Sequence, residues 1–225
     1  PEETAAADTP ETLDRPASDP KAIYFELNRP EKTPASPAPA QPATADSTRL
    51  RVLEAELGAL RDAVSRTPRD RTLVKRAMDK YRQVITERKR LKQPSRVRDY
   101  YNLGYMHYLS EEYPQTAIVT EEGIRMARLG PVEYLHYLKA MSHYRIAQQA
   151  VQPLPADTTA DESARLAGAT LRAGLDAEGR RQAITELRRA ISEFNYLLKN
   201  PELQQPAGEW ILKCSSMVEQ LSASP

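Results

Sequence analysis

The chain has 225 residues, 40% hydrophobic and 28% charged, with a formal net charge of +1 and a single cysteine, Cys214. One cysteine excludes an internal disulfide and a thiolate metal cluster, and no run of about twenty apolar residues is present to span a membrane. Proline and charge are unevenly placed: nine of the eighteen prolines fall in residues 1–42, residues 1–46 carry nine acids against four bases, and residues 66–98 carry thirteen bases against three acids.

Residues 1–46 hold too few large apolar side chains to offset the entropy of ordering, and read as a disordered Pro/Ala-rich tether. Pro34, Pro37 and Pro39 favour extended geometry within it. One apolar island interrupts the tether, formed by Ile23, Tyr24, Phe25 and Leu27, and it carries the chain's only strand-like signal. Two readings of it are open: a short docking motif that adds itself to a partner or folds back on the domain, or a chance cluster in a solvated tail.

From residue 47 to residue 222 the periodicity is helical. Leu50, Leu53, Leu57, Leu60 and Val64 step by three and four along one stripe, which stops at Thr67 and Pro68. Asp70 is placed to cap a second helix, with Val74, Met78, Tyr81, Val84 and Ile85 on its apolar face, and the two helices read as an antiparallel pair. Ser95 is the expected cap of a third helix, which carries Tyr100, Tyr101, Leu103, Tyr105, Tyr108 and Leu109. Pro114 suits the first turn of a fourth, with Ala117, Ile118, Ile124 and Ala127 as its apolar face and Gly130 as its stop.

Pro131 opens a fifth helix through Tyr134, Leu138, Met141 and Ile146. Residues 152–162 read as a loop and 163–171 as a short helix. In the long helix that follows, Ala183, Leu187, Ala190, Phe194 and Leu197 overlap a second series through Ile184, Ile191 and Leu198, which predicts packing on two sides. Asn200 and Pro201 end that helix, and after Pro206 a last one sets Trp210, Cys214, Met217 and Leu221 on a common face.

Tyr100, Leu103, Gly104 and Tyr108, followed by Tyr113, Thr116, Thr120 and Gly123, resemble the aromatic, Leu, Gly, Tyr and small packing positions of a tetratricopeptide repeat. The sequence departs from that pattern at Thr120, where a larger aromatic is usual, and at His107, where the tyrosine is displaced by one. His107-Tyr108 recurs as His143-Tyr144, which sets Tyr137 against Tyr101 and Ala140 against Gly104, with Ala190, Phe194 and Leu197 as the second helix of that repeat. The run from Tyr134 through Ser142, with Ala190 to Phe194, Leu197-Leu198 and Pro201, is also similar to bacterial outer-membrane assembly lipoproteins of the BamD type. These resemblances imply an all-α fold, antiparallel helix pairs in a short solenoid over 47–222 behind a tether, and a non-enzymatic protein–protein scaffold. They also imply a component of a cell-envelope assembly, in the periplasm or envelope rather than the cytoplasm, with a membrane tether upstream of Pro1 as a further expectation.

The sequence has no Gly-rich phosphate loop, nucleophile elbow or HExxH, so no catalytic residue, cofactor or metal ligand is assigned. Cys214 shares a face with Trp210 and Met217 and reads as a buried structural thiol. His136 and His143 stand two helical turns apart, too far for one metal on an i, i+4 pattern. Eight tyrosines between residues 100 and 144 cover more than one helix face. Tyr101, Tyr105, Tyr108, Tyr134 and Tyr137 are therefore candidates for a peptide-binding face. The basic run is short of acids at helical spacing, and of its residues Arg76, Lys80 and Arg90 point away from the apolar stripe. Those three are the candidate electrostatic contacts to an acidic protein. The competing reading is an electrostatic binder of nucleic acid or an anionic membrane surface through 66–98.

Overall fold

The computed structural model describes residues 20–28, 45–151 and 177–223. Helices α1 (Pro20–Leu27), α2 (Ala45–Arg66) and α3 (Arg71–Arg90) lead to strand β1 (Ser95–Arg96). Helices α4 (Val97–Leu109) and α5 (Tyr113–Met126) precede strand β2 (Ala127–Leu129), and α6 (Glu133–Val151), α7 (Ala177–Leu197) and α8 (Gln204–Ala223) complete the chain. Helix dominates the described residues, as the periodicity predicts. From α2 to α8 each helix packs on the next, most extensively α6 on α7, and α6 also reaches α4. The expected loop at 152–162 and short helix at 163–171 lie outside the described residues.

Helix ends follow from local chemistry. The Asp70 carboxylate accepts from the amides of Thr72 and Leu73 at 2.9 and 3.1 Å, which caps α3 and contributes about 1 kcal/mol. Pro114 lies in the first turn of α5. Ser95 does not cap α4; it belongs to β1, which pairs in parallel with β2, and Arg96 takes the cap position without a side-chain bond. Two helices close without glycine. At the end of α3, Lys92 adopts a φ of 55° while its amide donates to the Lys89 carbonyl and that of Gln93 to the Arg88 carbonyl. Glu111, at φ 61°, closes α4 in the same way through the amides of Glu111 and Glu112.

The predicted stripes of α2, α3, α4, α6 and α8 face the core or pack against it, except at Ile146 of α6. Of the two overlapping series on α7, the one from Ala183 to Leu197 is wholly buried, whereas Leu198 is exposed. The predicted apolar face of α5 is corrected in part: Ile118 is 59% exposed, Ile124 and Ala127 pack against the core, and the helix buries Thr116, Thr120 and Gly123, the packing positions that the repeat resemblance implies. The cause is close approach. A Cβ on Gly104 would lie 3.1 Å from a Thr120 methyl, and one on Gly123 only 2.6 Å from the Tyr100 Cβ. At this separation α4 and α5 interlock through small residues, so larger apolar side chains are turned outward.

The tether reading of 1–46 needs correction for residues 20–28. They form α1, with Pro20 at its start and Ile23, Tyr24 and Leu27 recurring at helical spacing, and Ile23 and Tyr24 are 0% and 1% exposed. The Phe25 side chain and residues 1–19 and 29–44 lie outside the described residues. Deleting residues 1–44 is accordingly expected to cost about 2–4 kcal/mol, the burial of Ile23 and Tyr24 less the entropy of ordering the segment. Differential scanning calorimetry should show a midpoint about 5–10 °C lower. A midpoint within about 1 °C of the full chain would restore the tether reading.

Candidate functional site

The two features that the sequence offered separately, the tyrosine face and the apolar island, meet each other. Tyr101 donates from its hydroxyl to the Pro20 carbonyl at 2.8 Å. The Tyr105 ring stacks on Tyr24, with centroids 4.8 Å apart, and lies 6.4 Å from the Tyr101 ring. The Tyr24 hydroxyl donates to the Arg61 carbonyl at 3.4 Å, and burial pushes its pKa up to about 12, so it stays a neutral donor. At the C-terminal end of α1, Asn28 and Asn102 exchange amide hydrogen bonds at 2.9 Å each. Arg61 also reaches the Asn28 side-chain oxygen, at 3.4 Å. The result is a groove with walls from α2, α4 and α6 and an aromatic floor, occupied along its length by a short helix of the same chain.

The other predicted tyrosines serve differently. Tyr137 is fully buried and meets Phe194 of α7 edge-on at 5.8 Å, and Tyr134 is 7% exposed, so both pack in the core. Their burial corrects the expectation of a partner-facing role, because helices on both sides of α6 compete for its surface. Tyr108 is half-buried, packs edge-on against Tyr113, and accepts from Arg145 at 3.0 Å. Asn28, Asn102 and Pro20 were not singled out from the sequence, since a lone asparagine gives no signal before its partner is in place.

The basic run is better compensated than local spacing suggests. Lys80 pairs with Glu56 of α2 at 2.5 Å, Lys89 with Glu122 of α5 at 2.6 Å, and Arg90 with Glu87 at 2.7 Å. Arg76 is exposed. The acids come mainly from neighbouring helices, a supply that i, i+4 counting misses. Arg88, 3% exposed, holds Glu54 and stands 3.1 Å from the buried Asp99 carboxylate. That last contact is an ion pair whose angles fall short of a hydrogen bond. Burial raises the Asp99 pKa even with Arg88, Arg98 and Arg96 opposing it.

Each histidine meets one glutamate through Nδ1 at 2.6 Å: His107 with Glu112, His136 with Glu193, and His143 with Glu186. Among the described residues, no group of three or more His, Cys, Asp or Glu could hold a metal. Lys139 bridges Glu193 and Glu121, so this polar ladder ties α6 to α5 and α7. Burial lowers the His143 pKa, with Glu186 opposing; for Glu193, burial raises it but the bonds from His136 and Lys139 win and lower it. A lowered folded pKa means that stability is present above the unfolded value and lost as pH falls. Stability should therefore decline below about pH 6.5 as His143 is forced to protonate, by at most about 1.4 kcal/mol per pH unit, with Glu193 adding a second loss below its ordinary value. Urea unfolding between about pH 8 and pH 5 tests this, and His143→Gln should flatten the upper limb.

Cys214 is fully buried, and desolvation pushes its thiol up to about 11, away from nucleophilic chemistry. Among the described residues, no helix is long and apolar enough to cross a membrane. A hollow of about 650 Å³ opens beside Tyr196, Lys199 and Pro201, but these residues are exposed and no buried polar group points a ligand into it. A smaller pocket of about 120 Å³ is lined by Arg61, Arg88, Arg96 and Arg98. No protein family, curated protein or solved structure gives a match to this chain.

Proposed function

We propose that the chain is a non-enzymatic protein-binding scaffold of tetratricopeptide-like helix pairs, whose groove between α2, α4 and α6 holds a short amphipathic helix. The observation that supports this reading is the seating of α1. Its aromatic side chain stacks on Tyr105, its first carbonyl is held by Tyr101, and its end is fixed by paired asparagines. Helix-in-groove recognition uses this combination of apolar anchors and a few polar end contacts. Seventeen residues, 28–44, separate α1 from α2. A linker of that length holds α1 at an effective concentration in the millimolar range, so a competing partner helix must bind tightly or act where α1 is undocked. A place in a cell-envelope assembly, proposed on the BamD-type resemblance, would supply such partners.

The reading is tested with a fluorescent peptide of residues 18–29, titrated into the full chain and into its Tyr24→Ala variant, with circular dichroism to confirm that both remain helical. The peptide should bind the variant at least about tenfold more tightly, because its own α1 has lost its anchor. Equal affinity for two folded chains, or none for either, overturns the groove as a binding site.

A further inference from the structure

We propose that the pocket enclosed by α2, α3, the start of α4 and the end of α1 is a binding site for a single phosphate group. Its lining carries four guanidinium groups against two carboxylates, those of Glu54 and Asp99, a net of +2. Arg88 is committed to both acids. The surplus therefore rests on Arg61, Arg96 and Arg98. Arg61 has only contacts of 3.4 Å, to Asp62 and Asn28, and Arg96 and Arg98 make no ion pair among the described residues.

Two further observations point inward. Tyr81 lines the pocket at 2% exposure, and its buried hydroxyl makes no hydrogen bond of good geometry, with Asn102 and Tyr24 as its polar neighbours. A buried hydroxyl held this poorly is destabilising, and an acceptor in the pocket would satisfy it. Helix α4 also begins here with no side-chain cap, since Arg96 stands where Ser, Thr or Asp would ordinarily accept its first amides. The uncapped end carries partial positive charge. The pairing of β1 with β2 fixes the backbone of Arg96, so its guanidinium departs from a rigid base.

Charge and size choose among anions. A phosphate monoester carries about −1.5 to −2 at neutral pH and matches the surplus, whereas a carboxylate neutralises half of it. The volume, about 120 Å³, admits a tetrahedral oxyanion. Arginine forks suit such an ion in a bidentate manner. The site shares Asn28, Asn102 and Arg61 with the end of the groove, but its test reads phosphate binding to the full chain and does not require a partner helix to enter the groove.

Titration of the full chain with sodium phosphate at about pH 7.5 and low ionic strength, read by calorimetry and phosphorus NMR, should give one phosphate per chain. Sulfate should compete and acetate should not. Changing Arg96→Gln and Arg98→Gln together should weaken binding by at least about tenfold, with circular dichroism confirming that the variant stays helical, and Tyr81→Phe should weaken it by several-fold. Glycerol phosphate binding more tightly than inorganic phosphate assigns the site to a phosphate ester, and the reverse order to the free ion. Absence of saturable binding at about 10 mM phosphate, equal affinity in the double Gln variant, or displacement by acetate as effective as by sulfate would overturn the proposal.

Discussion

Gly123→Ala is expected to lower the unfolding free energy by about 3 kcal/mol, and Gly123→Leu to leave the chain unable to pack α4 against α5. The Cβ of an alanine there would sit 2.6 Å from the Tyr100 Cβ and 2.9 Å from a Leu135 methyl. A Cβ is fixed to the backbone and has no rotamer that removes it. Accommodation therefore requires α4 and α5 to separate, which loosens Thr116 and Thr120 as well. Gly104→Ala should cost less, because its nearest neighbours are side-chain ends at 3.1 and 3.3 Å, on Thr120 and Leu138, that can give by a few tenths of an ångström. Gly208, with nothing within 4 Å of a new Cβ, supplies the control: Gly208→Ala should stabilise by about 0.5–1 kcal/mol through helix propensity alone. Denaturant midpoints for the three alanine variants rank them, and a Gly123→Ala chain as stable as wild type would refute the close approach of the two helices.

Arg88→Met is expected to cost about 3–5 kcal/mol, the range found when one partner of a buried ion pair is removed. The methionine fills much of the space, so the loss is electrostatic. Asp99 is 4% exposed and would keep its charge with only Arg96 and Arg98 nearby, in a setting where burial already raises its pKa. A raised folded carboxyl pKa gives stability that is present below the unfolded value and lost as pH rises. The deficit of Arg88→Met relative to wild type should thus shrink as pH falls toward the pKa of Asp99, which the mutation itself pushes further up. Adding Asp99→Asn should recover most of the loss at neutral pH. Urea unfolding of the two single variants and the double variant closes the cycle. A double variant as unstable as Arg88→Met alone would show that the arginine acts by packing rather than by charge.

How far the candidate site could be read in advance varied by residue. Tyr101 and Tyr105 were marked by aromatic density on one helix, and Ile23 and Tyr24 by an apolar cluster in a proline-rich segment. Each signal is local. That they bind each other is a contact across some eighty residues, between Pro20 and Tyr101. Nothing in the spacing of either segment encodes it. The island's strand-like signal is also overridden, since Pro20–Leu27 form a helix. Four large apolar residues within five positions fit a strand as readily as a helix, and only a groove that accepts one face of a helix selects between them.

The sequence by itself determined the helices: apolar steps of three and four fix which segments coil, and Asp70 and Pro114 fix where two of them start, because these effects act within one or two turns. It also determined the inward stripe of most of them, from Val74 to Ile85 and from Ala183 to Leu197. The tertiary structure decided what depends on how closely helices approach and on which charges meet. On α5, the short distance to α4 leaves Ile118 exposed although periodicity places it on the apolar face. Across α2 to α5, Glu54, Glu56, Asp99 and Glu122 compensate a basic run that looked unpaired. Periodicity reports a helix's own faces, but Coulomb attraction and steric fit act between helices, over separations in the chain that no local pattern records.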